Sequence, residues 1–145
     1  MRFTGKTALI TGGNSGIGFV TAKLLIAEGA QVVITGRDSA KLDQAVSELG
    51  ENVLGVRANL DNEADIDSLF EQIKSTFGSL DIVFANAGIS GPTPLGGTTA
   101  AAFEAILRTN LTAVFLTVQA ALPLMSEGGA VVIWRGRKWR AFCFH

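Results

Sequence analysis

The segment TGGNSGIG (11–18) places Gly12, Gly16 and Gly18 between a short apolar run and a helical pattern. Gly12 lets the chain leave a strand in a tight turn, Gly16 lets backbone approach a charged group closely, and Gly18 lets the helix pack. The unpaired N–H groups and positive dipole end of the helix suit a diphosphate. No Gly-Lys-Ser/Thr closes the turn, which excludes a Walker-type phosphate loop. A glycine-rich loop that binds nothing is the alternative, but the strand before and the helix after favour dinucleotide binding.

Alternating apolar runs and helical stripes predict the elements that hold this turn. Strands are predicted over 6–12, 31–36, 52–58, 80–88 and 128–134. The segments between them carry apolar residues at helical spacing, including Ile17, Val20 and Leu24 in the first helix, and either Asp61 or Asn62 is available to cap the third. Such alternation predicts parallel βαβ units with right-handed crossovers. We therefore expect an α/β fold: an incomplete, doubly wound Rossmann sheet of strand order 3-2-1-4-5.

Three further segments lie at suitable distances from the turn: NLD (59–61) after strand 3, NAG (86–88) closing strand 4, and TNL (109–111) in a long helix. With the glycine spacing, they resemble the short-chain dehydrogenase/reductase family over about residues 4–133. By itself, NAG could be only a turn with an asparagine cap. The resemblance implies that NLD contacts adenine, that NAG borders the cofactor and that Asn110 belongs to a catalytic site. The predicted cofactor-binding residues are Gly12, Asn14, Ser15, Gly16, Ile17, Gly18, Arg37, Asn59, Leu60, Asn86, Ala87 and Gly88.

The end of strand 2 indicates which nicotinamide cofactor is preferred. An acidic residue that would hold the ribose hydroxyls belongs there, but the position is Gly36 and Arg37 follows it. A guanidinium suits a 2′-phosphate, to which Ser15 could add a hydroxyl contact. Asn59 stands where the family usually has aspartate, and its side-chain oxygen can still accept a hydrogen bond from adenine. We expect NADP(H) rather than NAD(H), unless Arg37 only pairs with Asp38 at the surface.

The resemblance also implies a catalytic Asn-Ser-Tyr-Lys set, of which only Asn110 is present. In the family, a tyrosine with a lysine four residues later supplies the proton, and a serine after strand 5 polarises the carbonyl. This chain has no tyrosine, and the twelve residues after Ile133 contain no serine. Asn110 is therefore a remnant only, since an asparagine cannot replace a general acid, and Lys138 and His145 are given no role. We expect cofactor binding without turnover, with a small carbonyl or alcohol as substrate only in an intact homologue.

The composition indicates which classes of partner and which cellular compartment to expect. Residues 134–145 carry four cations and no acid, whereas residues 1–133 carry eight cations and thirteen acids, a balance that argues against nucleic acid. The start lacks an apolar signal region, and no uninterrupted apolar run reaches about 18 residues, so neither export nor membrane insertion is predicted. The one cysteine, Cys143, excludes an intrachain disulfide. We expect a cytoplasmic protein, and we predict no metal site.

The composition changes abruptly at residue 134. Both tryptophans, Cys143 and His145 fall within residues 134–145, so we divide the chain into a Rossmann portion, 1–133, and an aberrant basic-aromatic tail, 134–145. An altered reading frame, an alternative exon or a premature end would produce this tail, and contact with nucleic acid or anionic membrane is a rival interpretation. The exposed edge of strand 5 predicts self-association. A non-catalytic or interfering NADP(H)-binding module, a non-functional truncated product, and an active site restored by a partner chain remain alternatives.

Overall fold

The computed structural model describes residues 1–134, which form one five-stranded parallel sheet with helices on both faces. The strands are β1 (Thr7–Ile10), β2 (Gln31–Gly36), β3 (Val53–Arg57), β4 (Leu80–Ala85) and β5 (Met125–Ile133). The helices are α1 (Gly16–Ala27), α2 (Ser39–Leu49), α3 (Glu63–Phe77), α4 (Ala100–Leu107) and α5 (Ala113–Ala121). A π-helical turn, Arg108–Thr112, joins α4 to α5, and a 3₁₀ turn, Leu122–Leu124, precedes β5. The predicted tail lies outside the described residues except for Trp134.

The strand order is β3-β2-β1-β4-β5, and every neighbouring pair is parallel, which confirms the predicted Rossmann topology. The central strands read as continuous apolar runs because both of their faces are covered. Leu9, Val33 and Val83 pack in the cluster that includes α3 residues, whereas Ile10 and Ile34 pack in the cluster that includes α2 residues. The alternation along each strand thus divides one sheet between two cores.

β5 begins earlier than predicted, and its pairing with β4 is irregular. It begins at Met125, three residues before the predicted start, and its pairing with β4 shifts between Leu80 and Ile82. Val132 and Ile133 are 48% and 54% exposed because β5 pairs only with β4 in the described part of the chain. This strand is the open edge that the sequence predicted.

In two helices, the buried face is formed by small residues, and the largest apolar side chains are exposed. Ile17, Val20 and Leu24 of α1 are more than half exposed, and the buried positions of that helix are Gly18 and Ala22. The stripe predicted for this helix is therefore not its buried face. α5 likewise buries Ala113, Thr117 and Ala121 and exposes Phe115. Small side chains let a helix lie close to the sheet, so the larger apolar side chains face outward.

The helical stretch Ala100–Leu124 is long and apolar enough to cross a membrane by length and composition, with a mean hydropathy of 1.4. Only 17% of its most apolar window is buried inside the structure. This test tolerates charged residues within the helix, whereas the sequence prediction concerned an uninterrupted apolar run of about 18 residues. Glu104 and Arg108 interrupt the apolar run in sequence, but the helix continues through both. The core helices of soluble proteins also meet this criterion, and α5 packs on α3 and β4.

Candidate functional site

A cleft of about 340 Å³ opens at the carboxyl ends of β1 to β4. The chain order reverses between β1 and β4, and ligands of open α/β sheets bind at such a switch point. Nine of the twelve predicted cofactor-binding residues line the cleft: Gly12, Asn14, Ser15, Arg37, Asn59, Leu60, Asn86, Ala87 and Gly88. Gly16, Ile17, Gly18 and Asn110 do not line it. The other lining residues are Thr35, Gly36, Asp38, Lys41, Ala58, Asp61, Ile89 and Thr109, of which Asp61 belongs to the predicted NLD segment.

The glycine-rich turn is packed tightly on one side and open on the other. A Cβ atom at Gly18 would lie 2.5 Å from the Gly12 carbonyl oxygen and 2.7 Å from Asn86 Nδ2. A Cβ at Gly16, which has a φ of +55°, would meet nothing within 4 Å. Ser15, the residue before α1, makes no side-chain capping bond, so the first N–H groups of the helix keep their donor capacity. The turn therefore combines a fixed backbone with an open approach, as a bound diphosphate requires.

Two threonines that the sequence motifs did not reveal, Thr11 and Thr35, hold this turn in place. The Thr11 hydroxyl oxygen accepts hydrogen bonds from the backbone N–H groups of Asn86 and Ala87, each at 3.0 Å. The Thr35 hydroxyl accepts one from the Gly12 N–H at 3.2 Å. Both side chains are almost fully buried. A polar residue ending an apolar strand, just before the turn, was the available signal.

Asn86 also holds the glycine-rich turn in place. Its side-chain nitrogen donates to the backbone carbonyls of Thr11 at 3.1 Å and Gly12 at 3.3 Å. Both amide hydrogens can thus be used within the protein. The predicted NAG segment accordingly fixes β4 to the glycine turn as well as lining the cleft.

The corner after β2 presents two cations to the cleft, Arg37 and Lys41. Among residues 1–134, no ion pair joins Arg37 to Asp38. Asp38 instead caps α2, accepting a hydrogen bond from the Lys41 N–H at 3.2 Å. The Arg37 carbonyl accepts a bond from Arg57 Nε at 3.1 Å, which fixes the backbone and leaves the Arg37 guanidinium outside that contact.

The loop after β3 is held from within. Asn59 Oδ1 accepts a hydrogen bond from the Asp61 N–H at 3.2 Å, and the Asn59 N–H donates to Asp65 at 2.8 Å. An amide oxygen has two lone pairs, so one acceptor position of Asn59 remains for a ligand. Asn62, and not Asp61, caps α3 by accepting from the Ala64 N–H at 3.0 Å.

The Asn110 side chain is hydrogen-bonded to backbone groups, and the residue does not line the cleft. Its Oδ1 accepts from the Ile89 N–H at 2.8 Å, and its Nδ2 donates to the Ile89 carbonyl at 2.7 Å. The residue lies in the π-helical turn, directly after Thr109, which does line the cleft. Its side chain therefore clamps the segment that follows NAG.

The described residues 1–134 contain no group of three or more His, Cys, Asp or Glu side chains that could hold a metal ion. The cleft is lined by cations, amides and backbone groups, with Asp38 and Asp61 as its acids. This donor set suits a phosphate-containing organic ligand.

The model of the short chain dehydrogenase family matches residues 6–134. The chain belongs to this family. An oxidoreductase named asL5, from Sarocladium schorii, is 48% identical over 134 residues, which are 91% of this chain and 54% of that protein. A 3alpha-hydroxysteroid dehydrogenase from Mediterraneibacter gnavus is 37% identical, over 92% of this chain and 55% of its own.

A solved short-chain dehydrogenase/reductase, the glucose/ribitol dehydrogenase from Brucella melitensis, superposes with a TM-score of 0.88. It is 29% identical and is matched over 92% of this chain and 57% of its own. The chain thus spans about half the length of the relatives it matches. The short-chain dehydrogenase resemblance drawn from the motifs is confirmed, and membership of this family implies binding of NAD(P).

Proposed function

We propose that this short-chain dehydrogenase chain binds NADP(H) in preference to NAD(H) in the cleft at the β1–β4 switch point. One observation carries the preference: Arg37 and Lys41 line the cleft beside Gly36, where a carboxylate would favour NAD(H). A 2′-phosphate placed there gains charge-assisted hydrogen bonds from the guanidinium. Asp38, the acid nearest in sequence, is already committed to capping α2.

The rest of the cleft supports the binding of one dinucleotide across the switch point. Ser15 lines the cleft, and directly after it the open side of Gly16 and the uncapped start of α1 suit the diphosphate. Asn59 and Leu60 line the end at which the resemblance places adenine. When bound, the nicotinamide would supply the hydride. The residues of this chain bind and orient the dinucleotide, and the backbone clamp between Asn110 and Ile89 shapes the wall near NAG.

Substitution of Arg37 tests the cofactor preference. In Arg37→Ala, affinity for NADPH should fall about tenfold to a hundredfold, because a hydrogen bond to a charged group contributes about 1.5–3 kcal/mol. Affinity for NADH, which lacks the 2′-phosphate, should change less than about twofold by fluorescence titration. Arg2→Ala is the matched control, since Arg2 is an exposed arginine that pairs with Glu28 and does not line the cleft. Equal losses for both nucleotides in Arg37→Ala would refute the 2′-phosphate assignment.

We further propose that these 145 residues bind the cofactor without turning it over. The chain contains no tyrosine, the residue type that the family resemblance assigns to proton donation. Asn110 cannot replace it, because both polar atoms of its side chain are bonded to Ile89 and an amide is no general acid. NADPH should therefore bind saturably while its absorbance stays constant in the presence of varied aldehydes and ketones. Steady oxidation of NADPH by the purified chain would overturn this part of the proposal.

A non-catalytic module that associates with copies of itself or with intact subunits is the second candidate. The outward face of α4, the π-helical turn and α5 carries Phe103, Leu107, Leu111 and Phe115, each at least 40% exposed. Apolar surface of this kind promotes association. Sedimentation velocity should then show a species larger than the monomer, and Phe115→Asp should shift it toward the monomer. A monomer at all concentrations would exclude association with copies of itself.

A further inference from the structure

Asp61 joins the loop after β3 to the π-helical turn. Both of its carboxylate oxygens accept the Thr109 hydroxyl hydrogen, at 2.8 and 2.9 Å, and its backbone carbonyl accepts from Arg108 Nε at 3.1 Å and Nη2 at 2.6 Å. Residues far apart in the sequence are thus linked by a partly buried network. Because Asn62 provides the cap of α3, the Asp61 carboxylate is not needed for that purpose. Its contact with Thr109 therefore requires a separate explanation.

The next residue along the turn, Asn110, reaches a different loop. Its side chain holds both backbone polar groups of Ile89, which follows the NAG segment. Consecutive residues of a helix point in different directions, so Thr109 and Asn110 can bridge the loop after β3 and the loop after β4, although β2 and β1 lie between these two strands in the sheet. Asp61, Thr109 and Ile89 all line the same cleft. The network thus spans the wall from the loop after β3 to the loop after β4.

The backbone between these contacts is a rare helical form. The Ala113 N–H donates to the Arg108 carbonyl, five residues back, so the turn contains the extra residue of a π-helix. Such turns occur mostly singly within α-helices and are frequent at functional sites. The orientation of Asn110 depends on where this extra residue lies, and the Thr109–Asp61 bond lies directly beside it.

We propose that Asp61 is a positioning residue that fixes the π-helical turn through Thr109 and thereby sets the Asn110 clamp on Ile89. In this arrangement, the loop after β3 and the loop after β4 move as one wall. The ligand-dependent part of the inference rests on the proposed NADP(H) binding, whereas the link between Asp61 and Ile89 does not.

Hydrogen exchange of the Ile89 N–H in the ligand-free full chain tests the link directly. Thr109→Val and Asp61→Ala should each speed exchange about five- to tenfold, and the double variant should be no faster than the faster single variant, because one interaction is removed in each case. Thr109→Ser keeps the hydroxyl and should exchange like the wild type. Asn62→Ala is the control, since it removes the adjacent helix cap without touching Thr109, and it should leave Ile89 exchange unchanged relative to other amides of the sheet.

Two results of this experiment would overturn the proposal. One is wild-type exchange at Ile89 in Thr109→Val, which would show that the clamp does not depend on the network. The other is an additive effect in the double variant, which would show that Asp61 and Thr109 act independently.

Ligand affinities then distinguish an effect on the loop after β4 from an effect on the loop after β3. In Thr109→Val, affinity for NADPH should fall about three- to tenfold while affinity for 2′,5′-ADP, which lacks the nicotinamide half, stays within about twofold. Equal losses for both ligands would contradict a role transmitted to the loop after β4. If the wild-type chain binds neither ligand, the proposed function fails, and the Ile89 exchange result still decides whether Asp61 positions Asn110.

Discussion

Opposite ends of β1 are joined to β4 by different chemistry. At the amino end, the Thr7 N–H and the Lys6 ammonium both donate to the Asp81 carboxylate at 3.0 Å. At the carboxyl end, the Thr11 hydroxyl and the Asn86 side-chain amide make the connection with neutral groups only. The first junction satisfies a carboxylate with partners from its own chain. The second leaves the donors of α1 and the cations after β2 directed toward a cleft.

On the pair β1 and β4, the contacts at one end serve stability and those at the other end serve binding. Partial burial by itself would raise the pKa of Asp81, but the hydrogen bonds from Thr7, Lys6 and Ser126 outweigh it, so this pKa lies below its ordinary value. A carboxyl group that is more acidic in the folded state stabilises that state when ionised. The amino end therefore contributes to folding, whereas at the carboxyl end the first N–H groups of α1 and the cations after β2 remain available to a ligand.

Of the substitutions considered, Gly18→Ala should have the largest effect on NADPH affinity. Gly18 packs against the turn at the carboxyl end of β1 and does not touch the amino end. The new Cβ would lie 2.5 Å from the Gly12 carbonyl oxygen, a backbone atom that cannot move without the turn. Overpacking costs about 1–3 kcal/mol, so we expect a lower Tm and a loss of NADPH affinity of up to about a hundredfold. Gly91→Ala is the matched control, because its Cβ would meet only Ile106 Cδ1 at 3.8 Å. Wild-type affinity in Gly18→Ala would contradict the packing role of this glycine.

Asp81→Asn should act at the amino end alone. Loss of the charged acceptor should lower the free energy of unfolding at pH 7 by about 2 kcal/mol, with NADPH affinity unchanged. Because the folded-state pKa of Asp81 is lowered, its contribution is complete above pH values near 4 and is lost as the pH falls through that range and below. Denaturant titrations of wild type and variant should therefore converge as the pH falls.

Glu28→Gln is the control for that experiment. Glu28 pairs with Arg2 at the exposed surface, and its removal should have little effect at any pH. A constant difference between wild type and Asp81→Asn from pH 7 to pH 2 would show that the Asp81 charge does not stabilise the fold.

The sequence predicted what local spacing and chain order determine. The glycines at 12, 16 and 18, the alternation of strand and helix, and the resulting order 3-2-1-4-5 require no knowledge of distant contacts, and the structure confirms this order. The cap of α3 shows the limit of such patterns. Asp61 and Asn62 were both suitable by type, and only the position of Thr109, 48 residues away, explains why Asp61 faces elsewhere.

Features that depend on long-range packing could not be predicted in the same way. The exposure of Ile17 and Leu24 follows from the small buried residues Gly18 and Ala22, which let α1 lie against the sheet. The clamp between Asn110 and Ile89 depends on an extra residue in a helix that hydropathy alone cannot detect. In both cases the residue type was visible in the sequence, but the partner came from another element.

Asp38→Ser should have the smallest effect on NADPH affinity. It tests whether the corner after β2, at the carboxyl end of the sheet, binds a 2′-phosphate. Serine caps helices about as well as aspartate, so α2 should keep its stability while one carboxylate leaves the cleft that contains Arg37 and Lys41. NADPH affinity should rise about two- to threefold at low salt and return toward the wild-type value at high salt, since exposed charges are screened. Asp38→Ala is the comparison: it should give the same gain in affinity but lose about 1 kcal/mol of stability with the cap. If Asp38→Ser instead weakens NADPH and NADH equally, this carboxylate serves the ligand directly, and the corner after β2 does not discriminate against a 2′-hydroxyl.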